Sequence, residues 1–113
     1  MCELAKKLQD LGDIARNPNL KGGVWASFHS FISISDDLLR NEELFKNSSI
    51  IGNRSNEEYY EELKSIRNKF REIFEFELGD SPKFEASKNN KRESHKFRKK
   101  IFEFIQSYKG KFL

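Results

Sequence analysis

A chain of 113 residues with 36% hydrophobic and 35% charged side chains has room for one core and is polar for a globular protein but not disordered. The single cysteine, Cys2, excludes an intrachain disulfide, and no run approaches the ~20 apolar residues that span a bilayer. The net charge of +3 hides an uneven distribution: residues 1–82 carry a balance of −4 and residues 83–113 a balance of +7.

Leu4, Leu8, Leu11 and Ile14 step by four, three and three, which predicts a helix over about 2–17. Asn17-Pro18-Asn19 ends it and Gly22-Gly23 follows as a second breaker. No basic start with an apolar run of signal length is present at the N-terminus, so the expectation is a soluble, cytoplasmic protein.

Val24, Trp25, Phe28, Phe31, Ile32, Leu38, Leu39 and Leu44 keep a helical period and predict a second helix over about 24–46. Within it, Phe31–Ser35 reads FISIS, which also fits strand alternation; the flanking spacing favours helix, with a bend near Ser33–Ser35. Asn47-Ser48-Ser49 and Gly52-Asn53 mark a loop. The glycosylation sequons at Asn47 and Asn53 fall in it and, without a secretion signal, are read as accidental.

Ser55 followed by Glu58 forms a capping box, and Glu57, Glu58, Glu61 and Glu62 suit the positive end of a helix dipole. Tyr59, Leu63, Ile66, Phe70 and Ile73 then predict a third helix over about 56–79, stopped by Gly79 and Pro82. Tyr60, Phe74 and Leu78, with Arg67 among them, form a second line on it. They are candidates for a protein or homo-oligomer interface, against the plainer role of covering the edges of the core.

The last helix is expected over about 88–112, with Phe97, Ile101, Phe104, Ile105, Tyr108 and Phe112 inside. On a wheel, Lys91, Arg98 and Lys109 share one flank with Phe102; Arg92, Lys96 and Lys99 point outward; Lys100 and Lys111 take the other flank. Two roles follow by position. Lys91, Arg92 and Lys96 are placed to neutralise the acidic end of the third helix, at Glu72, Glu75, Glu77 and Asp80. Arg98, Lys99, Lys100 and Lys109 lie past that end and are candidates, with Phe102, for holding an anionic partner. The fold class expected from these segments is all-α, a small antiparallel bundle of about four helices.

No chemistry-bearing motif stands out. Neither His29 nor His95 follows a Glu at the three-residue spacing of a bundle metal site, so no metal and no cofactor are expected. Arg67-Asn68, in IRNKFRE at Ile66–Glu72, resembles the Arg-Asn start of the active motif in the HEPN family of helical-bundle ribonucleases. The resemblance covers two residues. Positions 69–74 hold no His, so the catalytic role the family would imply is not carried over.

Three functional readings stand. The first is a non-enzymatic interaction module, an accessory subunit or adaptor with a protein or homo-oligomer partner. The second is RNA or single-stranded DNA binding through the basic C-terminal helix. The third is a divergent helical-bundle ribonuclease lacking its His.

Overall fold

The computed structural model describes residues 3–49, 52, 54–78 and 91–113, with the side chains of 74–78 and 91–96 outside that description. The described residues are helical throughout their ordered elements and contain no strand. Helix α1 spans Glu3–Arg16, α2 spans Val24–Arg40, α3 spans Glu42–Lys46, α4 spans Asn56–Leu78 and α5 spans Lys91–Gln106.

Leu4, Leu8, Leu11 and Ile14 are fully buried, as their spacing requires. The turn after α1 is packed rather than loose. Pro18 is fully buried, and the buried Ser27 hydroxyl accepts the Lys21 N–H at 3.1 Å, so a polar atom inside the core has its partner. Gly23 caps α2 with φ near 139°, a conformation few other residues adopt, and no side chain assists it.

Helix α2 occupies the centre and packs against all four others. That position explains the FISIS stretch. Phe31, Ser35 and Leu38 face inward, while Ile32 and Ile34 are half-buried on the flanks and pack against the core. A helix with neighbours on several sides needs apolar residues outside one narrow stripe, so its pattern drifts toward alternation. The helix is continuous here, and the Ser35 hydroxyl donates to the Phe31 carbonyl at 2.7 Å, one turn back.

The single helix expected over 24–46 is two helices. Asn41 leaves helical geometry at φ −113° and ψ 63°, its N–H bonding the Leu38 carbonyl at 3.1 Å. Asparagine competes with the helix for backbone partners, so it suits such a break. The turn lays α3 along α4, where Phe45 meets the Tyr60 ring edge-on at 5.1 Å.

Ring contacts fix the direction of the remaining helices. Phe28 and Phe31 of α2 meet Phe104, and Phe31 also meets Tyr108, so α2 and α5 run parallel. Phe28 meets Phe70 at 6.0 Å and Asp36 pairs with Arg67 at 3.3 Å, so α4 is antiparallel to both. Fully burying a ring such as Phe31 contributes about 1.5–3 kcal/mol. At α4 the capping box is half formed: the Ser55 hydroxyl accepts the Glu58 N–H at 3.2 Å, while the Glu58 carboxylate turns to Arg54.

The chain leaves helical geometry after Gln106, earlier than the expected end near 112. Residues 107–111 form tight turns with bonds from Tyr108 to Ile105, Lys109 to Gln106 and Lys111 to Tyr108, and Gly110 takes φ 82°. This curl brings Phe112 against Tyr59 and Tyr108, and sets the Leu113 backbone against Gly12. A Cβ at Gly12 would overlap the Leu113 carbonyl oxygen.

Gly12→Ala is therefore expected to lower the melting temperature. Overpacking costs of about 1–3 kcal/mol exceed the helix gain of about 1 kcal/mol. In a chain lacking Leu113 the same substitution should raise it, which calorimetry on the four proteins would show.

Lys7 and Asp37 bond directly between α1 and α2. The bond from Lys7 holds the Asp37 carboxyl below its usual range, and the bond to Asp37 raises the Lys7 ammonium despite partial desolvation. A depressed acid contributes stability above its unfolded pKa, about 3.9, and loses it as pH falls through the lower folded value. A raised base contributes below its unfolded pKa, about 10.4, and loses it as pH rises through the higher folded value. Urea unfolding of Asp37→Asn should thus differ from wild type near neutral pH and converge with it in acid. A difference that stays constant into strong acid would count against the pair.

Candidate interaction surface

The basic helix presents its charges in three ways. Arg98, Lys99 and Lys109 are exposed and make no ion pair with a described residue. Lys100 is half-buried, with its ammonium 5.8 Å from the centre of the Phe97 ring. Lys111 lies 3.9 Å from Glu62 on α4. The side chains of Lys91, Arg92 and Lys96, and the carboxylates of Glu75, Glu77 and Asp80, lie outside the described residues, as does their expected mutual neutralisation.

Phe102 is half-buried and packs against the core cluster. Its ring is engaged by its own fold.

The cations of the preceding elements are used differently. Lys7, Arg16, Lys46, Arg54, Lys64 and Arg67 each pair with a carboxylate. Lys6, Lys21, Arg40, Lys69 and Arg71 are exposed without an ion pair to a described residue; Lys69 and Arg71 share α4, and the others sit on α1, the first turn and α2. Arg98, Lys99 and Lys109 place three such cations on one helix and the turn that follows it.

The second line on α4 is partly accounted for. Tyr60 is half-buried between Phe45 and the Lys64 ammonium, which sits 4.9 Å from its ring centre. Arg67 is exposed and holds Asp36 of α2. The side chains of Phe74 and Leu78 lie outside the described residues. Asn68 is exposed, so the Arg-Asn pair sits on the outer side of α4 with its arginine already committed. His29 is exposed beside Phe28, and Cys2 and the His95 side chain lie outside the described residues.

Among the described residues, no group of three or more His, Cys, Asp or Glu is placed to hold a metal ion. No helix there is long and apolar enough to cross a membrane.

Two features escape sequence reasoning. The first is Arg54, whose guanidinium bonds Glu58 at 3.2 Å, Glu62 at 3.3 Å and the Lys111 carbonyl at 2.6 Å, and lies 5.6 Å from the Tyr59 ring centre. Desolvation works against its charge. The bonds to Glu58 and Glu62 together outweigh it, so Arg54 holds its proton more tightly than a free arginine. The only advance signal was a lone arginine in a loop before two glutamates one turn apart. The second is a groove of about 260 Å³ between α4 and α5, lined by Lys69, Ile73, Lys100, Glu103, Phe104 and Ser107.

No protein-family model, curated protein or solved structure matches this chain.

Arg54→Met removes three polar contacts and leaves the Lys111 carbonyl without its donor. The expected cost is about 1–3 kcal/mol in chemical denaturation, with the 107–113 turn becoming the fastest-exchanging part of the core by amide exchange.

Proposed function

We propose that this chain is a non-enzymatic interaction module, an accessory subunit or adaptor, that docks an acidic protein surface on the outward side of α5. The observation that carries this reading is the grouping of Arg98, Lys99 and Lys109, exposed and without carboxylate partners among the described residues. Keeping cations on one rigid helix costs little when they are solvated, and it attracts an oppositely charged partner before contact.

RNA or single-stranded DNA is the second reading, supported by the same charges. Phe102 tilts the choice toward protein, because a ring packed on its own core is poorly placed to stack with a base. The ribonuclease reading has less support: Arg67 is ion-paired to Asp36 and no His follows it in sequence.

A photo-crosslinking residue in place of Gln106, half-buried near the middle of this surface, tests the reading in the source cells. A discrete protein adduct is expected, lost when Arg98, Lys99 and Lys109 are reversed to Glu, while thermal stability changes by no more than about 0.5 kcal/mol per surface site. An adduct with nucleic acid would select the second reading. Adducts unaffected by the reversal would remove the basis for both.

A further inference from the structure

The cations of the proposed docking surface are not all held alike. Arg98 and Lys99 sit within α5, where the helix backbone fixes them. Lys109 sits in the turns that follow, next to Gly110 with its left-handed φ of 82°. Inside these turns, backbone bonds of 3.0 Å join Lys109 to Gln106 and Lys111 to Tyr108. A turn closed by so few bonds keeps its place on the fold through contacts from outside it.

Those contacts are of two kinds. The buried Phe112 stacks on Tyr59 at 6.4 Å, and the Leu113 side chain lies so close to Gly52 that a Cβ there would overlap it. This apolar seat anchors the residues after the turn. Residues 109–111 are themselves exposed. Among the described residues, the polar contacts that reach them from other elements come from α4 and the loop before it. Arg54 donates to the Lys111 carbonyl at 2.6 Å, and Glu62 lies 3.3 Å from Arg54 and 3.9 Å from the Lys111 ammonium.

We infer that Arg54 is a positioning residue for the docking surface: its bond to the Lys111 carbonyl latches the turn and so holds Lys109 in a fixed place beside α5. This inference rests on the docking reading above and gives that surface a control point on a different element. A partner that meets a latched Lys109 has no turn to order. With the latch open, the cost of ordering the turn falls on binding. Arginine suits the role because its fork reaches two carboxylates and a carbonyl at once, which the point charge of a lysine does not reproduce. By linkage the coupling runs both ways, so an anion held by Lys109 steadies the latch in turn.

Titration of the full chain with an oligoglutamate peptide, followed by NMR, tests this. Lys99→Ala and Lys109→Ala should each weaken binding about two- to fivefold. Arg54→Lys keeps the net charge, and with it the long-range attraction. It should therefore weaken binding only through the turn, and by no more than Lys109→Ala does. In the Lys109→Ala background, Arg54→Lys should change the affinity no further, because effects that run through one residue do not add. In the unaltered chain, the peptide should slow amide exchange at Lys109 and Lys111, a readout that needs no variant to fold. Full affinity in Arg54→Lys, additive losses in the double variant, or exchange at these amides that the peptide leaves unchanged would overturn the inference. Loss at Lys99→Ala without loss at Lys109→Ala would also overturn it, while sparing the docking reading. No loss at either lysine, or no binding at all, would remove the docking reading and the latch with it.

Discussion

The structure rests on the ring ridge of α2. Phe28 and Phe31 each reach two neighbours: Phe28 touches Phe70 on α4 and Phe104 on α5, and Phe31 touches Phe104 and Tyr108. Rings prefer tilted or edge-on contacts, which are directional in a way that aliphatic contacts are not. Two such residues on one helix therefore orient two other helices at once. With α2 held on several sides, α1 and α3 need only cover what is left, and α1 does so with small steps of Leu and Ile.

This arrangement also divides the charges. Several carboxylates and cations of α1, α2, α3 and the first half of α4 are drawn into pairs within and between helices. Exposed pairs of this sort contribute roughly 0–1 kcal/mol each, so they tune the packing rather than drive it. Arg54 differs because it is partly buried and meets a backbone carbonyl as well as two carboxylates, which ties the 107–113 turn to the start of α4. Beside that turn, Arg98, Lys99 and Lys109 are exposed and make no ion pair with a described residue.

Much of this was legible in the sequence. Helix existence followed from three- and four-residue apolar steps, because burial of one face is what stabilises a helix in a protein. The exposed Arg98, Lys99 and Lys109 could be read from the wheel, since a helix with one apolar arc must turn its other arcs outward. The break at Asn41 was not legible, because Phe45 keeps the helical period across it. Nor was the exposure of Ile73, since periodicity says which residues share a face and not whether another helix arrives to cover it.

By itself, then, the amino-acid order determined the class of fold, the inward stripe of each helix and the lopsided charge. These are local properties, set by spacing of a few residues and by backbone geometry. Tertiary structure alone decided which helices touch, that α2 is central, that Arg54 joins residues 57 positions apart, and that α4 and α5 leave a groove between them. The reason is physical: those outcomes depend on ring shape and on how far each helix can approach its neighbours, and such distances are not written in the period of any one segment.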